Sequence, residues 1–210
     1  MLKKNGKKII CVAGFSGSGK TTASKTMKRY LGNTVRINGD LFMFDAIPLL
    51  PKESEKIFGE PVDTDDGLDY LIRFTHKLTS QTTKDYIFMA RPYVNKKVIE
   101  TANNLALEQG IDFIIADCIA LPNLDVWKQA DYRVVVMPKS WEVLVKRLIQ
   151  RGKETGTDVA DVAVAENRRF AVEEEISIAI ATNVDHIIYN NYDEQLEEDV
   201  KILCEKIKNL

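Results

Sequence analysis

The sequence predicts a three-layer α/β fold: a parallel sheet of about five strands with helices on both faces. Three observations lead there. Strand-like and helix-like segments alternate along the chain, as crossover connections between parallel strands require. A complete G-x-x-x-x-G-K-[ST] phosphate-binding loop, Gly14-Phe15-Ser16-Gly17-Ser18-Gly19-Lys20-Thr21, stands at the first strand-to-helix junction. The 210 residues are 45% hydrophobic and 29% charged, which suits one globular domain with inserts. Residues 1–210 therefore read as a single domain, without linker, repeat or low-complexity tract.

The first strand is the apolar run Lys8-Ile9-Ile10-Cys11-Val12-Ala13, and the first helix runs from Lys20 to Leu31. Between them, glycines allow a tight turn and let the backbone approach phosphates without a Cβ in the way. The freed N–H groups and the helix dipole then favour an anion. Gly14, Ser16, Gly17, Ser18 and Gly19 are the cradle of this expected nucleotide site, and Thr22 borders it. Lys20 is expected to reach the outer phosphates, and the Thr21 hydroxyl to ligate Mg2+, so ATP and Mg2+ are the expected cofactors.

Thr34 to Asn38 forms the second strand, ending at Gly39-Asp40. Residues 41–84 carry Pro48, Pro51, Gly59, Pro61 and Gly67, and then the acidic run Asp63-Thr64-Asp65-Asp66. A helix is expected from Leu68 to Leu78. Such a segment reads as an insert outside the sheet that builds an acceptor pocket, with about residues 41–100 as the acceptor-binding region. Tyr86-Ile87-Phe88-Met89-Ala90 fits either a short strand or a buried helix edge.

Ile111 to Ala116 is the third strand, ending at Asp117. Tyr132 to Met137 is the fourth, stopped by Pro138. Ser140 to Gln150 is a helix with Trp141, Leu144, Val145 and Leu148 at core spacing. A further helix is expected from Asp158 to Ala181, capped by Thr157 or Asp158, then a fifth strand from His186 to Tyr189 and a closing helix from Asp193 to Lys208.

Composition narrows the partners. Lys plus Arg number 29 against 31 Asp plus Glu, so no net field points to nucleic acid or an anionic membrane. No apolar run approaches the length of a membrane span. Cys11, Cys118 and Cys204 are far apart on apolar stretches, which suggests reduced, buried thiols and a cytoplasmic setting. The lysine-rich start superficially imitates a secretory leader, yet its short apolar run leads straight into the phosphate loop, so no cleaved leader is expected. Nothing in the sequence speaks to the oligomeric state.

Ligands of parallel α/β sheets collect at the carboxyl ends of strands, where Asp40 and Asp117 fall. Asp40 is the candidate general base, with a helix N-cap as the alternative. Asp117 is the candidate metal-side carboxylate, with a plain turn as the alternative. Arg147 and Arg151 lie one helical turn apart and are candidates to stabilise the transferring phosphoryl group. Gly152 to Gly156 reads as a flexible turn, and about residues 151–170, with Arg168 and Arg169, form an expected arginine lid. Solvated surface charge is the alternative there. Arg91 is a candidate clamp on an anionic acceptor, and Asn190-Asn191-Tyr192 reads as an adenine-side loop, with Asn191 the residue chosen. His76, His186, Trp127 and Trp141 are expected to pack rather than react, and Cys118 to face the core. The absence of an Asn-Lys-x-Asp motif argues against a guanine-specific switch domain.

Taken together these segments resemble the nucleoside and nucleotide kinase branch of phosphate-loop proteins. Ile37-Asn38-Gly39-Asp40, Ala130 to Val136, Lys146 to Arg151 and Val184 to Asn191 are similar to dephospho-CoA kinase, in which Asp40 would match the proposed catalytic aspartate. Arg91-Pro92-Tyr93 stands where that family has His-Pro-Leu. Met137-Pro138-Lys139-Ser140, Arg147-Leu148, Arg151-Gly152 and Glu173 to Ile176 resemble guanylate kinase instead, although its Thr-Arg-Pro-type acceptor segment is absent. The resemblance implies phosphoryl transfer from ATP·Mg2+ to a small nucleotide-like acceptor. A plain Asp40 and few acceptor-side arginines (Arg36, Arg73, Arg91) favour a hydroxyl acceptor over a phosphate. A guanylate-type monophosphate kinase is the alternative, and a nucleotide-dependent switch or scaffold without transfer is an alternative of another class.

Overall fold

A computed structural model describes residues 1–62, 79–155 and 183–209, together with 173, 176, 177, 179 and 180. The elements are β1 (Lys8–Gly14), α1 (Lys20–Leu31), β2 (Thr34–Asn38), α2 (Gly39–Leu49), α3 (Pro51–Phe58) and α4 (Ser80–Leu105). They continue with β3 (Phe113–Asp117), a 3-10 turn (Leu121–Asn123), α5 (Asp125–Gln129), β4 (Tyr132–Pro138), α6 (Trp141–Thr155), β5 (His186–Asn190) and α7 (Gln195–Lys208). The helix expected at 68–78, most of the one expected at 158–181, His76, Arg73, Arg168 and Arg169 lie outside the described residues.

The five strands form one sheet in the order β2-β3-β1-β4-β5, and every neighbouring pair is parallel. Strand alternation divides the core in two. Ile10, Val12, Ile115, Val134 and Val136 face α1 and α7, against Ala23, Met27, Val200 and Leu203. Ile9, Cys11, Ala13, Ile114, Ala116 and Val135 face the other way, toward α2, α4 and α6. Those two cores make the predicted three layers. The register sets Val12 and Asn38 on either side of Asp117, so the ends of β1, β2 and β3 come together at one edge.

Three local readings are settled or refined. Tyr86 to Ala90 is helix, part of the long α4, whose Tyr86, Ile87, Ala90, Val94, Val98 and Ala102 are buried at helical spacing. In the segment read as an insert, Met43, Ala46, Ile47 and Phe58 join the same core as the sheet, and none of its described residues lies in a strand. Gly152 to Thr155 continues α6 instead of forming a turn, since one glycine costs a helix only about 1 kcal/mol. Cys11, Cys118 and Cys204 are buried and unbridged. Among the described residues no helix is long and apolar enough to cross a membrane.

Candidate active site

The loop between β1 and α1 is fastened from several sides. Phe15 turns into the core, and its ring meets that of Trp141 on α6 at 4.7 Å in an edge-on arrangement. The Ser18 N–H donates to the Phe15 carbonyl (3.1 Å) and closes a tight turn. A Cβ on Gly14 would lie 2.5 Å from the Val136 carbonyl oxygen of β4, so no side chain fits there. Gly19 adopts the left-handed conformation (φ 97°) at the start of α1, a geometry that favours glycine. Lys20, Thr21 and Thr22 follow in the first helical turn, with Lys20 buried, Thr21 half-buried and Thr22 exposed. Ser16 and Gly17 are half-buried and Ser18 is buried.

Lys20 Nζ lies 2.8 Å from Asp40 Oδ2. Asp40 sits in the first turn of α2, whose N-cap is Asn38, so it is not the cap of its helix. Its Oδ1 accepts from the Ile119 N–H (2.9 Å), just beyond β3. Burial works against the Asp40 charge, but Lys20 and the Ile119 amide outweigh it and hold the carboxyl below its usual range. Burial likewise opposes the Lys20 ammonium, and Asp40 outweighs it, so the lysine titrates above its ordinary value. Both groups are charged at neutral pH.

Asp117, at the end of β3, is fully buried. Its Oδ1 accepts from Arg36 Nη2 (2.9 Å), and its Oδ2 accepts from Arg36 Nε and the Ser24 hydroxyl. Arg36 Nε also lies 2.8 Å from Ser24 Oγ. Burial pushes the Asp117 carboxyl up, against the pull of Arg36 and Ser24. Arg36, counted from sequence among the acceptor-side cations, is thus bound bidentately to a buried carboxylate. Cys118 faces the opposite core, as alternation requires, and its thiol is pushed well above its ordinary value by burial and by the nearby Asp40. A Cβ on Gly39 would stand 2.8 Å from Cys118 Cβ, so a glycine lets α2 start this close to β3. The packing of Cys118 beside Asp40 was not visible in the sequence.

The structure therefore brings the loop, Lys20, Thr21, Asp40 and Asp117 to one edge of the sheet, with Lys20 and Arg36 balancing the two carboxylates. Further candidates come from α4, α6 and the chain after β5. Arg147 is on the exposed side of α6, its Nη1 3.8 Å from Glu154 Oε1. Arg151 belongs to α6, but its side chain, like residues 156–170 of the expected lid, lies outside the described residues. Arg91 is in α4, its guanidinium carbon 5.5 Å from the centre of the Phe88 ring. Asn191 is exposed and donates to Asp193 Oδ2 (2.9 Å). Its neighbour Asn190, read from sequence only as part of the adenine-side loop, is buried and contacts the phosphate loop: Nδ2 donates to the Ser18 carbonyl (2.8 Å). An asparagine ending a strand at the ligand edge was the signal available. Trp127 packs in the core, and His186 is half-buried on β5, its pKa lowered by burial.

Sheet order, parallel pairing and loop together are those of the P-loop NTPase fold. The crystal structure of TT1252 from Thermus thermophilus matches with a TM-score of 0.61 at 17% identity, covering 97% of this chain and 98% of that one. Shikimate kinase from Bacteroides thetaiotaomicron matches with a TM-score of 0.54, also at 17% identity, covering 97% of this chain and 99% of that one. At such identities the likeness establishes the fold. The sequence matches no protein-family model and no curated protein.

Proposed function

We propose that the protein transfers the γ-phosphoryl group of ATP to a hydroxyl of a small, nucleotide-like acceptor. One observation carries the reading: the Asp40 carboxylate is held ionised 2.8 Å from the phosphate-loop lysine, at the ligand edge of the sheet. A carboxylate there can accept the proton of a hydroxyl as its oxygen attacks the γ-phosphorus. The new O–P bond forms, the bond from γ-phosphorus to the bridging oxygen breaks, and ADP leaves with that electron pair.

Lys20 and the loop amides hold the phosphates, while Arg147 and Arg151 stabilise the transferring group. Arg91 is the proposed acceptor clamp, and Asn191 borders the base. Thr21 and Asp117 would hold Mg2+, which neutralises phosphate charge when bound. The donor chemistry fits, because both offer hard oxygens. The Asp117 oxygens already accept from Arg36 and Ser24, so water would link that carboxylate to the metal. Among the described residues no three His, Cys, Asp or Glu converge, so the phosphates would supply part of the coordination.

The fate of Arg36 supports a hydroxyl acceptor. A phosphate acceptor needs cationic clamps, and one of the three candidate arginines is committed to Asp117. A fold neighbour named as a shikimate kinase is also a small-molecule kinase by name. Dephospho-CoA and nucleosides are the first acceptors to try. A coupled ADP-release screen over these, shikimate and nucleoside monophosphates tests the reading. Stimulation by a hydroxyl acceptor is expected. GMP as the sole substrate would assign a monophosphate kinase, and ADP release that no acceptor raises would assign a switch.

A further inference from the structure

We infer that Asn190 is a positioning residue of the phosphate loop, holding the Ser18 carbonyl so that the loop amides face the nucleotide phosphates. The inference rests on the nucleotide-binding reading above and adds a residue on the far side of the loop from Asp40.

Asn190 is the last residue of β5 and is 2% exposed. Each of its polar groups has a separate task. Nδ2 donates to the Ser18 carbonyl (2.8 Å), and Oδ1 accepts from the Tyr192 N–H (2.7 Å). The backbone carbonyl accepts from the Lys139 N–H (3.0 Å). One side chain therefore joins the phosphate loop to the turn after β5, and its backbone ties in the chain leaving β4. The contact is close enough to dictate the neighbouring residue, since a Cβ on Gly19 would fall 2.3 Å from Nδ2. The glycine preceding Lys20 thus serves Asn190 as well as the left-handed backbone.

The geometry of the peptide unit links this bond to phosphate binding. In a trans peptide the carbonyl and the following N–H point in opposite directions. Fixing the Ser18 carbonyl toward β5 therefore turns the Gly19 N–H away from β5, toward the interior of the loop. A freed carbonyl could rotate inward and present its negative end to a phosphate. Tyr192 supplies a second constraint: it holds φ 61°, rare for an aromatic residue, while its N–H is bonded to Asn190 Oδ1.

Asn190→Asp isolates the loop contact, because it keeps an oxygen for the Tyr192 N–H and loses the donor to Ser18. Asn190→Ser removes the reach to Ser18 without adding charge. Binding of Mg·ADP and of tripolyphosphate to the full chain is measured by calorimetry well below the melting temperature, with thermal unfolding recorded alongside. Losing one buried hydrogen bond that orders the loop is expected to weaken both ligands by about tenfold to a hundredfold in each variant. A role confined to stability would lower the melting temperature and leave these affinities unchanged. Wild-type affinity for tripolyphosphate in either folded variant overturns the inference, and Asn190→Ser carries the test if Asn190→Asp does not fold. Wild-type protein that binds neither ligand would instead overturn the nucleotide-binding reading itself.

Discussion

Replacing Asp40 by Asn separates its ion pair with Lys20 from its proposed role as base. The substitution keeps the side-chain shape and an oxygen for the Ile119 N–H, but removes the charge 2.8 Å from Lys20 Nζ. At an effective dielectric of about 20, charges that close attract by roughly 6 kcal/mol, and desolvation of the two groups cancels much of it. Their side chains are 9% and 26% exposed, so a net loss of about 2 kcal/mol is expected, the scale of a charge-assisted hydrogen bond. The melting temperature should fall by about 4–8 °C. Nucleotide binding should move the other way. On the proposed reading Lys20 exchanges Asp40 for phosphate in wild-type protein, whereas in Asp40→Asn it has no carboxylate to leave. The affinity for a non-hydrolysable ATP analogue should then rise by up to about thirtyfold. Transfer to the acceptor should meanwhile drop by about a hundredfold to ten-thousandfold, as for loss of a general base. Calorimetry, thermal unfolding and ADP release on the same preparation read all three. Unchanged or weaker nucleotide affinity would refute the ion-pair argument, and unchanged turnover would refute the base.

Other perturbations probe the surrounding frame. Arg36→Ala leaves the buried Asp117 charge without its bidentate partner and should cost about 3–5 kcal/mol in urea unfolding; a loss under about 1 kcal/mol would show that the pair is not structural. Gly19→Ala sets a Cβ 2.3 Å from Asn190 Nδ2 at φ 97°, so nucleotide binding should be lost before the fold is, as measured by calorimetry beside circular dichroism. The Lys20–Asp40 pair should also shape stability against pH. The folded pKa of Asp40 is lowered, so its contribution is complete above about pH 4 and lost as pH falls through the folded value. That of Lys20 is raised, so its contribution is complete below about pH 10 and lost as pH rises through the folded value. Asp40→Asn should remove its part of the acid-side loss in urea melts across this range.

The local signals were strong where punctuation and periodicity agreed. Both α1 and β2 have the bounds read from sequence, because Gly19 and Gly32 frame the helix and Asn38-Gly39 ends the strand. The middle of α4 was obscured by Pro92, a residue that usually interrupts helices, although Thr79 and Thr82 form a reciprocal capping box at its start. In the site, Lys20 was legible from the loop motif and Asp40 from its place just past the end of β2. Arg36 and Asn190 were not. Their roles depend on which strands become neighbours: Arg36 reaches Asp117 only because β2 pairs with β3, and Asn190 reaches Ser18 across the sheet edge. Local sequence carries no record of either pairing.

Whether the phosphoryl group reaches a hydroxyl is read by phosphorus NMR of the product formed with Mg·ATP and the acceptor found by the ADP-release screen. A phosphate monoester is expected, formed in equal amount to ADP and lost in Asp40→Asn. A phosphoanhydride formed from a nucleoside monophosphate, or ADP release with no phosphorylated acceptor, would contradict it.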